Sequence, residues 1–275
     1  MSRLVEKLLR QIGRANKRFS LIEDGDHVMV AISGGKDSWG MLDLLRRYRR
    51  RAPFDFTLTA VNVDQGHPGF PVDVLRRYFE ANDYVYRIEA QDTHSVVVEN
   101  TPEGKAYCAL CSRMRRGILY GVAEEIGATK IALGHHRDDL IETLLLNLFF
   151  AGRTRSMPPR LDGRPGQPAI IRPLALCAEE SLSALALEQE YPVVPCDLCG
   201  SQENLQRQQM KALLARLEVA NPALRGNLLA ALGNVEPSHL LDPRLRRVEG
   251  GADAPPMDLE PGLLQVVEPS AQDHL

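Results

Sequence analysis

Ser33-Gly34-Gly35-Lys36-Asp37-Ser38 follows the apolar run Val28-Met29-Val30-Ala31-Ile32 and precedes an apolar-periodic segment beginning near Trp39. A buried strand, a glycine turn and a helix start, in that order, confine this part of the chain to a βα unit. Such a unit places its turn at the carboxyl end of a strand. Paired glycines let the backbone approach phosphate oxygens, and the helix N-terminus adds unpaired N–H donors and a positive dipole end. The stretch therefore reads as a phosphate cradle, against the plainer reading of a polar βα turn. It is not a Walker A loop, which needs four residues between its first glycine and Gly-Lys-Ser/Thr. It is not a G-x-G-x-x-G dinucleotide fingerprint either.

The rest of the chain extends the same pattern. Strands are expected at 27–33, 56–63, 84–88 and 130–134, alternating with helices at 38–51, 71–81, 109–126 and 138–150. That alternation predicts an α/β fold, a Rossmann-like parallel sheet with helices on both faces. An amphipathic helix occupies 1–20 and the sheet domain 21–175, with a Gly/Pro/Arg loop at 151–169 and a fifth strand near 170–174. A C-terminal helical region follows at 176–240, with helices at 178–190, 202–218 and 222–233, and then a disordered tail at 241–275. Ligands in open sheets sit at the carboxyl ends of strands, so the loops 33–38, 64–70 and 134–139 are the candidate sites.

Of the 275 residues, 44% are hydrophobic, enough for a core. No apolar run approaches the roughly 20 residues of a membrane span, and the N-terminus lacks a signal-peptide h-region. A cytoplasmic protein is expected. The net charge of −3 is uneven, because the segment from Glu236 onward is acidic and the remainder slightly basic. Arginines cluster at 46–51, at 113–116 and at 153–160, and Arg3, Lys7, Arg10, Arg14 and Lys17 recur at helical spacing. Local clusters of this kind suit a polyanion; taken singly, each suits a solvated helix face equally well.

Four of the five cysteines form two C-x-x-C pairs, Cys108/Cys111 and Cys196/Cys199. Each pair can grip a metal with two thiolates. Spacing alone favours structural zinc, then an iron–sulfur cluster, then redox thiols. Cys177 stands alone and reads as a small buried residue.

Ser33 to Ser38 resembles the pyrophosphate loop of ATP pyrophosphatases, which split ATP between its α- and β-phosphates and adenylate a substrate. Adenylation makes a carbonyl oxygen a leaving group, and sulfur chemistry at the cysteines supplies a nucleophile to replace it. Further blocks strengthen the resemblance: 108–113, 115–120, 130–139 (Lys-Ile-Ala-Leu-Gly-His-His-Arg-Asp-Asp), 157–159, 171–174, 195–208 and 234–240. Together they resemble the PP-loop family that converts cytidine 32 of bacterial tRNA to 2-thiocytidine.

The resemblance implies ATP with Mg²⁺, and a 4Fe-4S cluster held by three cysteines with one iron left open. Carried over, the ligands are Cys108, Cys111 and Cys199, which displaces zinc and leaves Cys196 out. It also implies tRNA as substrate, a cysteine desulfurase as sulfur source and a homodimer. Under this reading Ser33, Gly34, Gly35 and Ser38 hold phosphates, and Lys36 neutralises the charge developing on pyrophosphate. Asp37 and Asp139 are Mg²⁺ or base candidates, with Asp138 a weaker one. Val63 and the 64–67 loop lie near the adenosine, and Gly134 lets the nucleotide pass close to the backbone. His135 and His136 are expected to support or cap rather than to catalyse. The competing readings are a tRNA-lysidine-type ligase, another PP-loop tRNA thiolase, and a zinc-containing RNA-binding protein. Thiouridine enzymes with extra zinc knuckles fit less well, since no cysteine lies outside 108–199.

Overall fold

The computed structural model describes residues 2–67, 69–93, 95–96, 108–194, 204–242 and 245; side chains are described from 113 in the helix opening at 108 and from 206 in the helix opening at 204. The described residues form two compact units. The larger takes residues up to Leu140 and from Met157 to Val194, and the smaller takes Ile141 to Ser156 and 206 to 242.

The larger unit opens with α1 (Arg3–Phe19), whose N-cap Ser2 accepts from the Val5 amide. Val5, Leu8 and Ile12 recur at the helical period and are buried, each such side chain contributing about 1.5–3 kcal/mol. Beyond α1 the chain alternates β1 (His27–Ile32), α2 (Lys36–Arg49), β2 (Thr57–Asp64), α3 (Val72–Ala81) and β3 (Tyr86–Ala90). It continues with α4 (Cys108–Glu125), β4 (Lys130–Ala132), α5 (Arg137–Phe150), β5 (Arg160–Leu161), β6 (Ala169–Ile171) and α6 (Glu179–Glu188).

The strands form one sheet in the order β3-β2-β1-β4-β6-β5. Val28, Val30 and Ile32 of β1 face the cluster built with α1, α2, α3 and α6, whereas Met29 faces α4 residues Leu119, Val122 and Ala123. Both faces are covered, which is why the strands read as continuous rather than alternating apolar runs. The order reverses between β1 and β4, so the loops after these two strands flank a switch point, where open α/β sheets bind ligands.

Several details depart from the sequence expectations, among them β4, which ends at Ala132 rather than at 134. The sheet is not wholly parallel: β5, inside the expected 151–169 loop, pairs antiparallel with β6 at the edge. The fifth long strand shortens to Ala169–Ile171 because Pro173 has no N–H to extend a ladder. β3 lies two residues later than expected, since its register pairs Ala60 with Tyr86 and Asp64 with Ala90. Tyr84 instead donates its amide to Phe79 O in the turn, and its ring lies under the Arg46 guanidinium, 4.5 Å away. Finally, α2 begins at Lys36 rather than 38, so Lys36, Asp37 and Ser38 form the helix's first turn.

In the smaller unit, Ile141 and Leu145 of α5 pack with Met210 and Leu214 of α7 (Asn204–Ala220), and α8 (Leu224–Ala231) joins through Leu224 and Leu228. Glu142 is fully buried there, 3.8 Å from both Arg207 and Lys211, which share one face of α7. The expected tail at 241–275 lies almost entirely outside the described residues.

Candidate active site

Gly34 holds a φ of +88°, the left-handed region that glycine tolerates. Its neighbour Gly35 is the N-cap of α2, and no side chain caps this end. The first-turn amides thus remain for a ligand, reinforced by the helix dipole. The two loop hydroxyls are tied internally: Ser38 Oγ donates to Gly35 O at 2.8 Å, and Ser33 Oγ accepts from Gly35 N at 3.3 Å. Lys36 Nζ lies 3.0 Å from Asp37 and 3.4 Å from Glu179, the first residue of α6. Burial alone would lower the Lys36 pKa, but the Asp37 and Glu179 carboxylates outweigh it and raise it.

The loop after β4 approaches from the other side. A Cβ on Gly134 would sit 3.2 Å from Ser38 N and 3.3 Å from Asp37 C, so this backbone packs directly on the first turn of α2. His136 and Asp139 cap α5 reciprocally: His136 N donates to Asp139 Oδ2 at 2.9 Å, and Asp139 N donates to His136 Nδ1 at 3.4 Å. His136 is buried among carboxylates, 3.3 Å from Asp139 and 3.9 Å from both Asp37 and Asp138.

Asp138 caps a different helix. Its Oδ2 accepts the Glu179 amide at 2.8 Å, replacing the side-chain cap that Ala178 cannot provide. Burial would raise the Asp138 pKa, but the Glu179 amide, Arg137 and His136 together lower it. A depressed carboxyl contributes stability that is present above its unfolded pKa, about 3.9, and is lost as pH falls through the lower folded value. Asp138→Asn is therefore expected to lose about 1–2 kcal/mol at pH 7, with the difference from wild type narrowing below about pH 4. Denaturant melts at the two pH values check this.

A strap from Tyr191 to Val194 runs along α2. Val194 N donates to Gly34 O at 3.0 Å, Trp39 Nε1 donates to Pro192 O at 3.2 Å, and the Tyr191 hydroxyl donates to buried Asp43 at 2.9 Å. Arg47 completes the anchor, reaching Asp43 at 2.8 Å and Gln189 at 3.0 Å.

These pieces enclose a cavity of about 450 Å³ at the switch point. Ser33, Gly35, Asp37 and Ser38 line one side, Gly134 and Asp139 another, and Val63, Phe70 and Leu119 give it apolar walls. An apolar slot beside a cluster of free amides suits a purine and its phosphates.

Residues 4–214 match the family model described as the PP-loop domain. A tRNA-cytidine(32) 2-sulfurtransferase of Sorangium cellulosum is 52% identical over 94% of this chain and 96% of its own length. The chain belongs to the tRNA-cytidine(32) 2-sulfurtransferase family of PP-loop proteins. A member from Marinomonas is 51% identical over 93% of this chain and 91% of its own. Among solved structures, the U34-tRNA thiolase NcsA of Methanococcus maripaludis, with its 4Fe-4S cluster, shares the fold. That match has a TM-score of 0.68 at 23% identity, covering 85% of this chain and 81% of that one.

Within this PP-loop framework, Ser33, Gly35, Asp37, Ser38, Val63, Gly134 and Asp139, all expected from the sequence, line one cavity. Gly34 turns its carbonyl to the strap, and Lys36 turns to Asp37 and Glu179. Cys108 and Cys111 open α4, but their side chains, like Cys196 and Cys199 altogether, lie outside what the structure describes. Cys177 is fully buried, and burial pushes its thiol up to about 12, so it stays protonated at neutral pH. Sequence reasoning missed Glu179 and Val194, whose signals are purely tertiary. Part of the arginine pattern is structural: Arg46 donates to Asn82 O, Arg47 pairs with Asp43, and Arg160 pairs with Asp162 and Glu23. No helix among the described residues is long and apolar enough to cross a membrane.

Proposed function

We propose that this chain is an ATP-dependent tRNA sulfurtransferase that converts cytidine 32 of tRNA to 2-thiocytidine. One observation carries the reading: the cavity joins the pyrophosphate loop to the 134–139 loop and to Val194, one residue before the segment bearing the second cysteine pair.

ATP fits this cavity with its phosphates on the amides of the α2 first turn and its base between Val63, Phe70 and Leu119. Asp37 and Asp139 present hard oxygens to Mg²⁺, with phosphate oxygens completing its shell. The target cytosine leaves the anticodon-loop stack, a small cost for a loop nucleotide. Its O2 attacks the α-phosphorus, and the α–β bond breaks with release of pyrophosphate. Lys36, exchanging Glu179 for phosphate oxygens, stabilises the charge that develops there. A sulfur nucleophile at the sulfide level then adds to C2, and AMP departs with the former O2, so no net oxidation occurs. Thiolates fit iron by donor chemistry: Cys108, Cys111 and Cys199 would hold a 4Fe-4S cluster, which supplies a Lewis-acidic carrier for sulfur. A cysteine desulfurase as sulfur source, a homodimer and a cytoplasmic location complete the proposal.

Anaerobic purification should yield a brown protein containing iron and acid-labile sulfide, and Cys199→Ser should lose both. Mass spectrometry of tRNA incubated with ATP, Mg²⁺ and sulfide should show sulfur at cytidine 32. Stoichiometric zinc without iron, or an unchanged cytidine, would sink the assignment. Incorporation of lysine at that base would favour a lysidine-type ligase.

A further inference from the structure

Arg172, directly after β6, is only 1% exposed, yet it has no acidic partner within ion-pair distance among the described residues. Its Nη1 donates to Pro158 O at 2.7 Å, while its Nε is buried with no acceptor. Arg116 on α4, half-buried, likewise has a buried Nε with no acceptor. A guanidinium carries five N–H donors, and buried ones are normally satisfied. Burial pushes the Arg172 pKa down, to about 10, and neighbouring Arg116 pushes it the same way. Asp139 and Tyr120 oppose this only in part, and Asp139 already accepts from the His136 amide. Two like charges in a poorly hydrated place, each with a buried Nε that meets no acceptor, are costly for the free protein. An apolar side chain would fill Arg172's place at lower cost. The arrangement makes sense if an anion completes it.

We propose that Arg116 and Arg172 form a phosphate subsite beside the nucleotide cavity, which takes a backbone phosphate of the RNA substrate. Arginine's planar fork matches phosphate bidentately. Arg116 is the outward member, and Arg172 stands behind it as a buried charge. Arg116 adjoins the cavity-lining Arg115 along α4, and Arg172 follows Ile171, whose strand partner Ala132 leads into the cavity-lining Leu133 and Gly134. The amides of the α2 first turn already serve the ATP phosphates, so this pair is left for the other substrate. The subsite would fix the RNA backbone while the target base enters. The choice of RNA as phosphate source rests on the sulfurtransferase reading.

The test uses the full chain with its nucleotide cavity filled by α,β-methylene-ATP, which removes the pyrophosphate loop as a competing phosphate site. Probes are an anticodon stem-loop RNA and, separately, inorganic pyrophosphate. Arg172→Met should keep or raise the melting temperature of the RNA-free protein, because it removes an uncompensated charge. The same change should weaken stem-loop binding about ten-fold and reduce the salt dependence by about one counterion. Arg116→Gln, at a half-exposed position, should weaken binding similarly with no change in melting. If Arg172→Met lowers the melting temperature while both variants bind RNA normally, the pair is structural and the subsite does not exist. If pyrophosphate stabilises wild type but neither variant, and RNA binding is unchanged, the site belongs to the leaving group and the RNA assignment fails. Because binding alone is read, wild-type protein that binds the stem-loop in this Arg-dependent way, but never thiolates it when given ATP, Mg²⁺ and sulfide in place of the analogue, would refute the sulfurtransferase reading and leave the subsite standing.

Discussion

Gly134→Val is expected to reduce ATP cleavage by about 10²-fold or more while the sheet still folds. The reason is a contact with no slack. Even a single Cβ at 134 would meet Ser38 N at 3.2 Å, Asp37 C at 3.3 Å and Ser38 Cα at 3.4 Å. All three are backbone atoms of the turn whose amides are to receive phosphate, so no side chain can swing aside. Valine adds two further methyls, and overpacking of this kind costs about 1–3 kcal/mol. The strain can relax only by displacing the α2 first turn or the loop that carries Asp139. Either shift misaligns the phosphates, and a displacement of about 1 Å is enough for a loss of this size. Tryptophan fluorescence and circular dichroism should show a cooperative melt a few degrees lower, whereas AMP formation should nearly vanish. A variant that cleaves ATP at the wild-type rate would show that the loop contact is irrelevant to phosphate placement.

Lys36→Met should slow the formation of AMP and pyrophosphate by about 10²- to 10³-fold, the loss typical when a donor aimed at developing charge is removed. Asp37 and Glu179 raise the Lys36 pKa against the effect of burial, so the ammonium is charged throughout the neutral range. The rate should therefore show no loss attributable to Lys36 as pH rises from 7 to 9. The lost interaction strengthens as the α–β bond breaks, so kcat should fall more than KM for ATP rises. Stability should change little, because these ion pairs are about one-third exposed and such pairs are worth about 0–1 kcal/mol. Steady-state kinetics at saturating tRNA separates the two parameters. A variant with an unaltered kcat and a raised KM would make Lys36 a binding residue only.

The legible part of this molecule was local. The β1–turn–α2 signal needs only an apolar run, two glycines and the start of a 3.6-residue period, all within about fifteen residues of one another. Tyr84 shows the limit: its β propensity extends β3 backwards, but the parallel register with β2 moves the strand to Tyr86–Ala90. The two-residue β5 had no periodicity to read and exists because β6 offers it an edge. Asp139 is expected from the sequence as a Mg²⁺ or base candidate, and its neighbour Asp138 as a weaker one. The fold separates them, one capping α6 in trans and the other capping its own helix while lining the cavity.

The sequence by itself determined the alternation of the longer strands and helices, the phosphate loop and its family, because hydrophobic period and glycine placement act over one or two turns of chain. Only the tertiary structure decided what surrounds that loop. It set the reversal of strand order between β1 and β4, brought Glu179 to Lys36 across 143 residues, and tied Val194 to Gly34. It also left Arg172 buried with no acidic group within ion-pair distance among the described residues. Each of these depends on which faces pack together, a choice made by burial of the whole core, and no short window of residues carries it.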